Sequence, residues 1–104
     1  MPPMDDPARF SMQQTLIFMC RDLIEDISDM RSFEHDRDAL EETITLALAL
    51  TSYDRETLAS LGHIIDRMAT KTYTLFTKHY DDPVLDSLLK RILSLKDICS
   101  NLLE

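Results

Sequence analysis

A single glycine in 104 residues is the first constraint on this chain. Phosphate-cradling loops and the sharp elbows that present a nucleophilic serine both need glycine where the backbone must approach closely, so Gly62 alone cannot supply such sites. Cysteine is nearly as scarce. Cys20 and Cys99 lie too far apart for a metal-ligand spacing. Each falls at helical intervals among apolar residues, which makes both read as small core hydrophobes rather than a disulfide or a reactive thiol. Helical metal sites built from a glutamate with a histidine three positions later are missing, because Ser32, Ser60 and Phe76 occupy the places three before His35, His63 and His79. No apolar stretch approaches the length of a membrane span. Met1 to Asp6 carries neither a basic segment nor an apolar signal core, so a cytoplasmic location is the expectation.

Bases are outnumbered, with 11 Lys and Arg against 19 Asp and Glu and a net charge of −8. The imbalance is concentrated: residues 1–52 hold eleven acids and four bases, and residues 53–104 hold eight and seven. That field repels a phosphate backbone and an acidic lipid surface, which argues against direct nucleic-acid or membrane binding. Arg67, Lys71, Lys78, Lys90, Arg91 and Lys96 are dispersed among acids and form no basic stripe.

What the chain does have is helical periodicity. Hydrophobic residues make up 44% and charged residues 29%, the balance of a folded globule. One helical domain is expected over residues 6–104, with residues 1–5 a flexible amino terminus. The run Leu85, Leu88, Ile92, Leu95, Cys99, Leu102 draws one apolar seam. Asp82 can cap that helix while Pro83 takes its first position, and Asp6 with Pro7 repeats the signal. A first helix is predicted over 7–33, with Leu16, Ile17, Cys20, Leu23, Ile24, Ile27 and Met30 on its apolar face. Glu34 to Asp36 should end it, and Asp36 should cap a second helix to about Thr51.

The second segment has two readings. Ile44, Leu46, Leu48 and Leu50 alternate with small or polar residues like a strand, and a two-stranded pairing with 70–80 is the alternative. Leu40, Ile44, Ala47, Leu48 and Thr51 make a helical stripe, beside a second stripe of Ala39, Thr43, Leu46, Leu50 and Tyr53. A helix apolar on two sides is the preferred reading, since no hairpin turn follows. A third helix, capped by Ser52 or Asp54, runs toward Tyr80, and Gly62 within it should let another helix approach closely or mark a bend. The fold class is therefore all-α, a small four-helix bundle with unequal helices. Those unequal lengths and the two-sided second helix predict a homodimer.

The exposed features point to binding rather than catalysis. Asp22, Glu25, Asp26 and Asp29 recur at helical spacing opposite Leu16, Cys20, Leu23 and Ile27, and form one candidate partner-binding surface. Leu46 and Leu50 form the other, an apolar groove beside the second helix. Met12, Met19 and Met30 add adaptable bulk. The acid pairs, with Asp38 and Glu41, give the main alternative: a Mg²⁺-dependent enzyme resembling all-α nucleotide pyrophosphohydrolases. The chain departs from that family by placing aspartates where glutamates are usual and by lacking a basic cluster for a triphosphate. In outline it also resembles a phosphotransfer domain, but His63 is followed by Ile64, Ile65, Asp66 and Arg67 in place of the lysine and small residue such a site needs. No catalytic, cofactor or metal residues are assigned. The expected function is a non-enzymatic protein-interaction module that meets a basic protein partner, acting as an adaptor, an anti-activator or a secretion- or effector-type chaperone. An acidic inhibitor that mimics nucleic acid is a third reading.

Overall fold

The computed structural model describes residues 6–104, so the expectation for residues 1–5 lies outside the described residues. Four helices follow one another: α1 (Asp6–Ile27), α2 (Glu34–Leu48), α3 (Arg55–Lys78) and α4 (Pro83–Leu103). Among the described residues there is no strand, so the strand alternative for 43–51 and 70–80 is excluded. The helices have 22, 15, 24 and 21 residues, unequal as predicted. α1 packs on α2 and α4, α2 on α3, and α3 most extensively on α4, a cyclic order around one core.

Each helix buries the stripe its spacing dictates. All six seam residues of α4 are buried, as are Leu16, Ile17, Cys20, Leu23 and Ile27 of α1 and Leu58, Leu61, Ile65 and Met68 of α3. Asp82 caps α4 through Val84 N–H at 2.9 Å, and Asp54 caps α3 by accepting from Thr57 N–H at 3.0 Å. The Thr57 hydroxyl donates to the same Asp54 carboxylate, and together these bonds hold that carboxyl below the usual carboxylate range. The carbonyl end of α4 is also satisfied: Tyr53 Oη donates to Leu102 O at 3.0 Å, and an Arg55 guanidinium N–H donates to Leu103 O.

The first helix stops six residues earlier than its spacing predicts. Ser28 Oγ donates back to Glu25 O at 2.8 Å and Met30 N–H to Ile27 O at 3.0 Å, which turns the chain at Ser28–Asp29. A short 3₁₀ turn, Arg31–Phe33, then delivers Phe33 into the core, where it is fully buried. Asp36 does not cap α2, which begins at Glu34. It lies inside the first turn, only 1% exposed, with Lys71 Nζ at 2.6 Å and Arg67 Nη2 at 3.8 Å. Lys71 also donates to Ser32 O at 2.8 Å, so one ammonium ties the α1–α2 connection to α3. The predicted extension of α2 to Thr51 fails too. Ala49 N–H bonds to Leu46 O and Leu50 N–H to Ala47 O, a tight turn that leaves Leu48 at the helix end and 46% exposed.

Gly62 is a close-approach glycine. A Cβ there would lie 2.8 Å from Cys99 Sγ of α4, and that thiol donates to Leu58 O at 3.3 Å. Gly62→Ala should gain about 1 kcal/mol of helix propensity but lose about 1–3 kcal/mol to overpacking. In a Cys99→Ala background the obstacle is gone, and the same substitution should become stabilising. Thermal unfolding of the four proteins in this cycle measures the reversal. Equal effects of Gly62→Ala in both backgrounds would show that the contact does not limit α3–α4 packing.

Candidate functional site

The acidic stripe survives as a surface but not as four equivalent charges. Asp22, Glu25, Asp26 and Asp29 are all exposed. Asp22, Glu25 and Asp26 project from α1, while Asp29 belongs to the turn after it. Asp26 pairs with Arg91 of α4, and Asp29 shares a small 150 Å³ depression with Arg31 and Arg37. Asp22 and Glu25 are in no ion pair among the described residues. Asp29 is likewise in no ion pair among the described residues, so Asp22, Glu25 and Asp29 carry the open charge of the stripe.

Leu46 and Leu50 separate. Leu46 is 66% exposed on the outer side of α2, whereas Leu50, past the helix end, is half-buried against the core. Inward, α2 offers Leu40, Ile44 and Ala47. Outward, Asp38, Glu41, Glu42, Thr45 and Leu46 line a shallow groove of about 430 Å³. Asp38 has Arg37 at 3.3 Å, and Glu41 and Glu42 are in no ion pair among the described residues.

Two further concavities were not anticipated from the sequence. One, of about 440 Å³, lies where the end of α1 meets the start of α4 and is lined by Met30, Pro83, Val84, Leu88 and the Asp26–Arg91 pair. The position of Val84 just after Asp82–Pro83, outside the seam, was its only signal. The other, about 330 Å³, follows the α3–α4 contact past Gly62, His63, Asp66, Lys96 and Cys99. Lys96 Nζ lies 2.7 Å from Asp66 and holds that carboxyl below the usual range by hydrogen bond and charge. No activated nucleophile stands there. Burial raises the Cys99 thiol, and burial together with the nearby Cys99 pushes Cys20 up to about 12, so both stay protonated at neutral pH.

Buried polar groups serve the fold. Gln13, fully buried and unforeseen, accepts from Asp54 N–H through Oε1 at 3.0 Å and so positions the α3 cap from α1. Thr72 donates to Met68 O at 2.7 Å within α3. Among the described residues no three of His, Cys, Asp and Glu converge closely enough to hold a metal ion. No helix among them is long and apolar enough to cross a membrane. Comparison with protein-family models, with curated proteins and with solved structures finds no match to this chain.

Proposed function

We propose that this chain is a non-enzymatic protein-binding module, an adaptor, an anti-activator or a secretion- or effector-type chaperone, that meets a basic protein partner in the cytoplasm. The observation that carries this reading is the open negative charge of α1 and α2: Asp22, Glu25, Glu41 and Glu42 are exposed and in no ion pair among the described residues. By contrast Arg67, Lys71, Lys90, Arg91 and Lys96 of α3 and α4 each face a carboxylate of the same chain. A surface on which one sign is in excess steers an oppositely charged partner.

Affinity capture from the source cells, with the wild-type protein and with Glu25→Lys/Asp29→Lys, tests the proposal. A basic protein retained by the first and lost from the second is the expected outcome. If the retained protein is one that binds DNA through the same basic surface, inhibition by nucleic-acid mimicry is selected. Nucleoside triphosphate turnover with Mg²⁺, abolished by Glu25→Gln or Asp38→Asn, would select the hydrolase and overturn the proposal.

The reading includes a homodimer, for which the exposed Tyr73, Val84 and Leu93 of α3 and α4 supply apolar surface. Sedimentation equilibrium at micromolar concentration should give twice the 12.0 kDa chain mass, and a single-chain mass across that range would remove the dimer.

A further inference from the structure

Leu46 lines two grooves at once. The first is the α2 groove with Asp38, Glu41 and Glu42, and the second, about 220 Å³, lies between α2 and the start of α3 with Thr43, Asp54, Glu56, Thr57 and Ser60. The leucine is thus a ridge between two concavities that together hold five carboxylates, and no Lys, Arg or His lines either. The last turn of α2, immediately beneath this ridge, carries no basic residue to complement its carbonyl end. Val84, equally exposed, stands instead in a concavity where Asp26 and Arg91 neutralise each other.

We propose that the Leu46 ridge is the docking site for a basic amphipathic helix of the partner, whose apolar side chains straddle Leu46 while Lys and Arg on either flank reach Glu41, Glu42 and Glu56. This rests on the protein-binding reading and specifies where and how the partner is held. Charge complementarity selects the occupant. An apolar helix without cations would leave Glu41 and Glu42 on one side and Glu56 on the other, none in an ion pair among the described residues, facing a low-dielectric contact with no counter-charge. A second copy joined through this face by a two-fold axis would set the same carboxylates against one another. A helix is the fitting form because both grooves run beside one exposed side chain, so side chains spaced three and four apart can enter them in turn.

The test uses the full chain and a synthetic helical peptide of about 14 residues, roughly 21 Å long, with Leu on one face flanked by Lys and Arg. A second peptide keeps every charge and replaces Leu by Ser. Amide ¹H–¹⁵N spectra should show shifts centred on Leu46, Glu42 and Glu56 with the first peptide. The Ser peptide and the Leu46→Ala protein should each bind at least about fivefold more weakly. Leu46 is exposed, so the variant should keep its fold, and circular dichroism checks this. Shifts confined to Asp22–Asp29, equal binding of both peptides, or no binding up to millimolar concentration would overturn the docking site. Concentration-dependent shifts at Leu46 without peptide would assign the ridge to a second copy and overturn it equally. The affinity capture is a separate readout, so a partner still lost from Glu25→Lys/Asp29→Lys in any of these cases leaves the broader reading standing.

Discussion

Leu95→Asp should unfold this protein or leave it barely folded at room temperature. Leu95 is 0% exposed in the α4 seam, between Ile92 and Cys99, which are also buried. Removing its side chain forfeits about 2–5 kcal/mol of transfer and cavity terms. An aspartate in its place adds an unpaired carboxylate, or a protonated one without a partner, at a cost of several kcal/mol more. Domains of this size have about 5–15 kcal/mol in total. Leu95→Ala isolates the first part and should lower Tm by about 10–30 °C. The outward neighbour Leu93, 43% exposed, should accept aspartate with little change. An unchanged melting temperature in Leu95→Asp would place the seam on the surface and dissolve the four-helix arrangement.

Lys71→Ala should cost about 3 kcal/mol, the lower end of what removing one partner of a buried ion pair costs, because the lysine itself is partly exposed. Asp36 is buried to 1%, and its Oδ2 receives the Lys71 ammonium at 2.6 Å. Its Oδ1 has only Arg67 at 3.8 Å, an ion pair too long for a hydrogen bond. Without Lys71 the carboxylate stays in the core with Arg67 as its one remaining ion-pair partner among the described residues. The loss should therefore be largely recovered by Asp36→Asn in the same chain, which removes the stranded charge. Chemical denaturation of the two single variants and the double variant gives the coupling energy. Additive losses would mean that Lys71 acts through its bond to Ser32 O or its place over the Phe33 ring, and not through Asp36.

The Asp82–Pro83 start and the α4 seam were legible because each is a local signal: a side chain that caps, a ring that fits the first turn, a period that matches 3.6. The Asp6–Pro7 pair marked the start of α1, but Asp6 lies inside the first turn of that helix and not at its cap. The Asp54 cap was legible for the same reason. The end of α1 was not. Ser28 and Asp29 sit in a run whose apolar period continues to Met30, and the turn that the Ser28 and Met30 bonds close brings Phe33 into the core, a tertiary gain that no local pattern shows. Asp36 misled in the same way, since an aspartate before an apolar run looks like a cap, and its partner Lys71 is 35 positions away in sequence. The buried Gln13 depends likewise on a backbone N–H at Asp54, which no local pattern reveals. At the candidate site, the acids were legible as charge and Leu46 as an exposed residue. The pairing of Asp26 with Arg91 and the withdrawal of Leu50 into the core are tertiary, and both narrow the surface that a partner can use.

If the open carboxylates of α1 and α2 steer a basic partner, the rate of encounter must depend on them. Stopped-flow association of the captured partner with the wild-type protein and with Glu25→Lys/Asp29→Lys, at low and at high salt, measures it most directly. Exposed charges act over about 8 Å at physiological ionic strength. The association rate should therefore be about tenfold slower in the variant, the wild-type rate should fall steeply with salt, and the dissociation rates should hardly differ. An association rate indifferent to both the substitutions and the salt would contradict such steering.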